Sequence, residues 1–254
     1  MKNITKTIFI LTCVSLSLCL AQKPTLQPTD LVTVPTAGLI PKGSYIAKFY
    51  LFQGGGLLGG ISVGISDRFM IGVSYGGAQI IGNQNINWHN QPGVEIRYRF
   101  IEESLKFPGV LVGFTSQGFG EYIDTLKRYE TKAKGFYAVA SKNYEFLGNL
   151  GLHAGINYNP IEREAGDSDP SFFVGIDKNL NSEISVVAEY DAALNDNTTN
   201  EISLGKGKGY LNAGIRWSVV ENIHLEVDFN NILLNRNQMK YMNRELKISF
   251  IESF

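Results

Sequence analysis

Strict turn-taking between apolar and polar residues constrains this chain more than any other feature. Ile223, Leu225, Val227 and Phe229 interleave with His224, Glu226, Asp228 and Asn230. Leu150, Leu152, Ala154, Ile156 and Tyr158 do so with Gly151, His153, Gly155 and Asn157, and Val94, Ile96, Tyr98 and Phe100 with Glu95, Arg97 and Arg99. A period of two puts each set on its own face of a strand. Such runs recur near 44–52, 57–66, 69–77, 92–101, 108–116, 133–143, 149–158, 171–178, 183–191, 209–219, 222–230 and 244–254. Their connections alternate in length. Ser66–Arg68, Glu102–Phe107, Glu145–Gly148, Asn179–Ser182 and Val220–Glu221 are short, whereas Ala78–Gln91, Gln117–Lys132, Asn159–Pro170, Ala192–Lys208 and Asn231–Asn243 are long. Only Gln53–Gly56 is shorter than this rhythm requires. Short turns at one end, long loops at the other and an even strand count predict an all-β, antiparallel, up-and-down transmembrane barrel of about twelve strands.

The two faces separate that barrel from a soluble sandwich. One face carries aromatics near strand ends, Tyr45, Phe69, Tyr75, Tyr158, Tyr190 and Trp217, as an interfacial girdle does. Parity turns Lys48, Arg97, Arg99, Arg216 and Lys247 inward together with Glu95, Asp177, Glu189, Asp191, Glu226 and Asp228. A dry core does not take so many charges, but a wet or mutually paired lumen does. Folding 209–219 against 222–230 predicts an Arg216–Glu226 contact. The eleven charges form either a stabilising network or the lining of a pore.

Residues 1–21 read as a signal peptide: Lys2 and Lys6, an apolar stretch from Ile8 to Leu20, then Cys19-Leu20-Ala21 before cleavage. Lipidation at Cys19 is disfavoured by the bulky Leu18. Cleavage after Ala21 removes Cys13 and Cys19, the chain's 2 cysteines, and takes Lys+Arg from 23 to 21 against 24 Asp+Glu. Residues 22–43 are expected as an N-terminal periplasmic segment and 44–254 as the barrel. Phe250 and Phe254 in the last run are the expected assembly signal for the barrel assembly machinery, with outer-membrane lipids around them. No basic stripe suggests a nucleic-acid partner.

Chemistry is sparse. His153 and His224 point into the lumen without an evident serine partner, so an outer-membrane hydrolase ranks last among the readings. Gly205-Lys-Gly-Lys-Gly209 lacks the Ser or Thr and the helix of a phosphate cradle. Acidic residues at Gly166–Asp169 and Asp191–Asp196 lack Ca²⁺-loop spacing. Neither a metal nor a cofactor is expected. Trp88, His89, Tyr122, Arg128 and Tyr129 are the expected outer-loop contacts.

Several segments resemble the YjbH-type outer-membrane barrels associated with exopolysaccharide export. They are Pro35-Thr-Ala-Gly38 with Pro41-Lys-Gly43, then Phe107–Phe114, Gly118-Phe-Gly120 and Tyr137–Lys142, and finally Glu189-Tyr-Asp191 with Asn212–Arg216. Members of that family are typically much longer, with more than one barrel. The resemblance implies a non-enzymatic accessory barrel in exopolysaccharide export or cell-surface organisation, in contact with extracellular polysaccharide or export-complex proteins. A small-solute, porin-like channel is the alternative.

Overall fold

The computed structural model of the chain describes residues 27–162, 167–197, 204–237 and 239–254. The expected leader, its cleavage site, Cys13 and Cys19 lie outside them. Twelve long strands form the wall: β1 Ser44–Phe52, β2 Gly56–Ser66, β3 Phe69–Ala78, β4 Gly93–Ile101, β5 Gly109–Thr115, β6 Gly135–Glu145, β7 Asn149–Tyr158, β8 Ser171–Asn179, β9 Ile184–Asp191, β10 Tyr210–Val220, β11 Ile223–Asn230 and β12 Asn243–Ser253. Each pairs antiparallel with its neighbours in sequence, and β1 pairs with β12 from Ser44↔Ser253 to Leu51↔Leu246. The sheet is thereby closed, which removes every edge. Twelve expected strands appear, within about two residues of their expected ends.

The exterior is apolar. Ile71, Val73, Ile96, Ile156, Val174, Ile215 and Val227 all stand exposed on the outer face, as lipid contact requires. No helix among the described residues is long and apolar enough to cross a membrane. Phe250 and Phe254 lie beside Tyr45, with ring centroids 6.1 Å and 5.4 Å away.

The interior departs from the sequence reading. The segment expected in the periplasm runs inside the barrel over its described part. Residues 29–36 form a tight hairpin, with Leu31 N–H donating to Val34 O at 3.0 Å and Thr36 N–H to Thr29 O at 3.0 Å. Both ends of the segment lie at the short-turn mouth. There Gln27 Nε2 donates to Glu103 and Gly43 N–H to Gly64 O. Gly38 is needed where the two legs cross, because a Cβ there would stand 2.2 Å from Pro28 O. The physical reason for the burial is the run Leu31-Val-Thr-Val34 with Leu39 and Ile40. These residues join inward Ile46, Met70, Leu111, Tyr137, Val139, Phe173 and Val187 in one core. Burying several aliphatic side chains yields roughly 1.5–3 kcal/mol each. Exposing the run in the periplasm forfeits that gain.

Candidate functional site

The candidate site is the lumen, and it is filled from both ends. All eleven predicted lumen charges face inward, and many of them grip the hairpin. Glu189, on β9, is seated in its tip. Its carboxylate accepts N–H groups from Val32 at 2.8 Å, Thr33 at 2.9 Å and Val34 at 3.1 Å, and the Thr33 hydroxyl at 2.6 Å. Asn212 adds a donor at 2.7 Å. Successive backbone N–H groups make an anion nest, here occupied by a wall residue.

The cations serve the hairpin's carbonyls and its one acid. Arg97 donates to Thr29 O and to Asp30, each at 2.5 Å, and also pairs with Glu95. Lys48 pairs with Asp30 as well. Arg99 reaches Ala37 O at 3.0 Å, Arg216 reaches Asp30 O at 3.3 Å and Lys247 reaches Leu31 O at 3.1 Å. The predicted Arg216–Glu226 pair is present in direct register at 2.5 Å, and Lys247 shares the same carboxylate at 2.7 Å. Asp228 lies beside Lys247 at 3.6 Å. A hairpin with no strand to pair with has its backbone groups satisfied by ionic side chains instead.

Asp177 and Asp191 belong elsewhere. Asp177 accepts from His153 Nε2 at 2.7 Å, and His153 Nδ1 meets Ser141 Oγ at 2.7 Å. The serine partner was legible from register, since His153 lies directly opposite Ser141 across the β6–β7 turn. His224 likewise meets Ser218, at 2.9 Å. The Ser141–His153–Asp177 array has the order of a hydrolytic relay. However, Ser141 Oγ also accepts Ala37 N–H at 2.8 Å and lies buried under the hairpin, so no acyl group reaches it in this form. Asp191 pairs with Lys134 at the outer end.

The outer end is closed by loops. Residues Phe119–Ile123 and Arg128–Thr131 pair as a separate two-stranded hairpin folded over the mouth. Arg128, fully buried, pairs with Asp196 at 2.6 Å, and Arg236 pairs with Glu130 at 3.0 Å. Glu162 accepts N–H groups from Tyr129 at 2.7 Å and Ala133 at 2.8 Å. Burial pushes the Glu162 carboxyl above its ordinary range despite these donors, and burial pulls the Lys132 ammonium below its own. Where the two closures meet, a cavity of about 10 Å³ is lined by Thr33, Thr131, Tyr210, Asn212, Asn243 and Glu245 among others. That is about one water's worth of space.

The expected outer-loop contacts are accordingly redistributed. His89, Arg128 and Tyr129 are buried supports of the roof and not surface contacts, because their loops fold inward. His89 stacks near Phe52 and meets Tyr129 edge-on at 5.0 Å, while Tyr129 meets Tyr122 at 5.0 Å. Trp88 remains exposed, stacked on Tyr75 at 5.8 Å and 6° in the outer aromatic girdle. The glycine-rich Gly205–Gly209 stretch has its Lys206 and Lys208 amides taken by Asn235, at 3.0 Å and 2.8 Å to the side-chain oxygen, so they are not open to a phosphate.

No protein-family model and no curated protein matches the sequence. Solved structures similar in shape are outer-membrane barrels. They include the KdgM porin (12% identity, TM-score 0.49, covering 83% of this chain and 99% of that one). The translocator domain of the autotransporter NalP from Neisseria meningitidis matches with 12% identity and TM-score 0.43 over 99% and 96%. The COG4313 outer membrane channel from Pseudomonas putida F1 matches with 10% identity and TM-score 0.41 over 85% and 97%. The likeness is one of barrel architecture, and no solute follows from it.

Proposed function

We propose that the protein is a non-enzymatic outer-membrane barrel, closed at rest, that acts at the cell surface as an accessory to the organisation or export of extracellular polysaccharide. One observation carries the closed state: the lumen is occupied from the periplasmic end by residues 27–43 and roofed at the other by the 119–131 hairpin. The leader-like pattern of residues 1–21 and the lipid-facing belt support the outer membrane as its location. The polysaccharide role rests on the segments resembling YjbH-type barrels, from Pro35–Gly43 to Asn212–Arg216.

Conductance of the refolded protein in a planar bilayer tests the closed state. Silence from demonstrably folded protein is expected, and steady openings at low voltage refute it. Unchanged surface glycan in a deletion strain refutes the polysaccharide role. The second reading is a gated small-solute channel. It is favoured by the wall itself, because Lys48, Arg97, Arg99, Arg216 and Lys247 ring the passage that the hairpin occupies.

A further inference from the structure

We infer that residues 27–43 are a withdrawable stopper, latched by Glu189 and free to leave the barrel as one loop through the periplasmic mouth. Three observations carry this. The segment enters and leaves by the same mouth, at Gln27 beside Glu103 and at Gly43 beside Gly64 and Phe254. No strand of the wall pairs with it: its sheet-like bridge, Asp30↔Pro35, is internal. Withdrawal therefore breaks no rung of the barrel ladder and requires no threading. The tip, finally, has its amides gathered on one wall side chain, the Glu189 carboxylate in the nest of Val32, Thr33 and Val34, while Lys247 and Asn212 add single contacts to Leu31 O and the Thr33 hydroxyl.

The direction of travel is set by the neighbours. Above the tip, Phe119, Thr131 and Tyr210 fill the lumen with Thr33. Below it, the segment's two legs pack against the inward wall residues Ile46, Met70, Leu111, Tyr137, Val139, Phe173 and Val187 and return to the mouth they entered by. The apolar contacts of Leu31, Val34 and Ile40 make the closed form the resting one, so opening is a rare excursion. Glu189 governs its frequency. A carboxylate accepting several N–H bonds in a buried site cannot be replaced by water without moving the hairpin. In the open form Lys48 and Arg99 lose the partners they contact here, Asp30 and Ala37 O. Water entering from the mouth then solvates these two cations.

The test measures exposure of the tip and not conductance, because the outer roof stays in place. In a background without Cys13 and Cys19, Val34→Cys is a buried reporter for a water-soluble maleimide applied to the refolded barrel. Glu189→Ala is expected to speed its labelling at least tenfold, and Glu189→Gln, which keeps one acceptor, to fall between that and the parent. A lock supplies the control. A Cβ on Gly109 would stand 3.7 Å from that of Ala37, within the roughly 3.5–4.5 Å of a disulfide. Oxidising an Ala37→Cys/Gly109→Cys pair should return the Glu189→Ala rate to the parent's, and reduction should restore it. Heat-modifiable migration on gels verifies folding throughout. Should Glu189→Ala fail to fold, Thr33→Val removes one latch contact from the hairpin side and is expected to speed labelling severalfold. Labelling that ignores Glu189 or Thr33 in folded protein overturns the latch. Fast labelling that the oxidised lock does not slow means the whole barrel opens, and overturns the stopper.

Discussion

The two closures of this barrel solve the same problem with opposite chemistry. The periplasmic stopper is apolar in its side chains and contributes one acid, Asp30. The wall supplies the charges, and they bind its backbone. The outer roof reverses this: its loops bring their own ions, pairing Arg128 with Asp196 and Arg236 with Glu130, and Lys134 reaches Asp191 at the end of β9. A stopper bound mainly through its backbone depends more on its apolar contacts than on any one of its polar side chains. A roof held by paired loop ions is sensitive to single charge deletions and to pH.

The largest expected effect falls on the stopper. Phe173 is fully buried on β8 within the core that receives the hairpin. Phe173→Ala is expected to cost about 3–5 kcal/mol and to release the 27–43 segment to protease while the twelve strands stay intact. Limited proteolysis followed by mass spectrometry checks this. Cleavage within the strands before cleavage of the segment would make the stopper an integral part of the wall, and the contrast between the closures would fail.

Next is Arg128→Ala on the roof. Truncating one member of a buried ion pair costs about 3 kcal/mol or more. Here Asp196 keeps its contacts from the Tyr210 hydroxyl at 2.9 Å and Leu204 N–H at 3.1 Å, which places the effect at the lower end. Protease sensitivity should appear in 117–134 and not in 27–43. Sensitivity appearing in both would show that the two closures are coupled through the Thr33–Tyr210 cavity.

The sequence made the wall legible and the stopper illegible, for one physical reason. Period-two alternation reports which face a strand residue takes, so Lys48, Glu95, Arg97, Glu189, Arg216 and Lys247 were placed inward correctly, and Arg216 was paired with Glu226. Alternation is silent about what fills the space they face. A signal did exist. Met70, Leu111, Val139, Phe173 and Val187 share the inward parity with those charges, and a lumen half lined by aliphatics needs an apolar occupant. The run from Leu31 to Ile40, too short and proline-broken for a strand pair, is that occupant. His89, Arg128 and Tyr129 were misplaced because a long loop's residues carry no register, and burial in a roof depends on contacts such as Asp196 and Glu162 that lie far off in sequence.

The smallest effects sharpen the comparison through pH, and the two closures should respond with opposite sign. Glu162 on the roof has its carboxyl raised by burial, so the closed form disfavours its ionised state. Its contribution is present below the ordinary glutamate range and is lost as pH rises through the raised value. Glu103, at the mouth beside Gln27, is the reverse. Burial pushes it upward, but the Asn143 backbone N–H at 2.6 Å, the Asn143 amide at 2.7 Å, Lys142 and Gln27 outweigh that and hold it below its ordinary range. Its contribution is present at neutral pH and is lost as pH falls through the lowered value. Acidification from pH 7 should therefore tighten the roof and loosen the stopper's entry. Segment-resolved hydrogen exchange at pH 7 and pH 4 would show protection rising around 129–133 and falling around 141–143. Glu162→Gln should flatten the first trend alone. Glu103→Gln, which forfeits about 1 kcal/mol of hydrogen bonding, should flatten the second alone. If both segments moved in the same direction, the barrel would be responding to pH as a whole, and the two closures would not be independent.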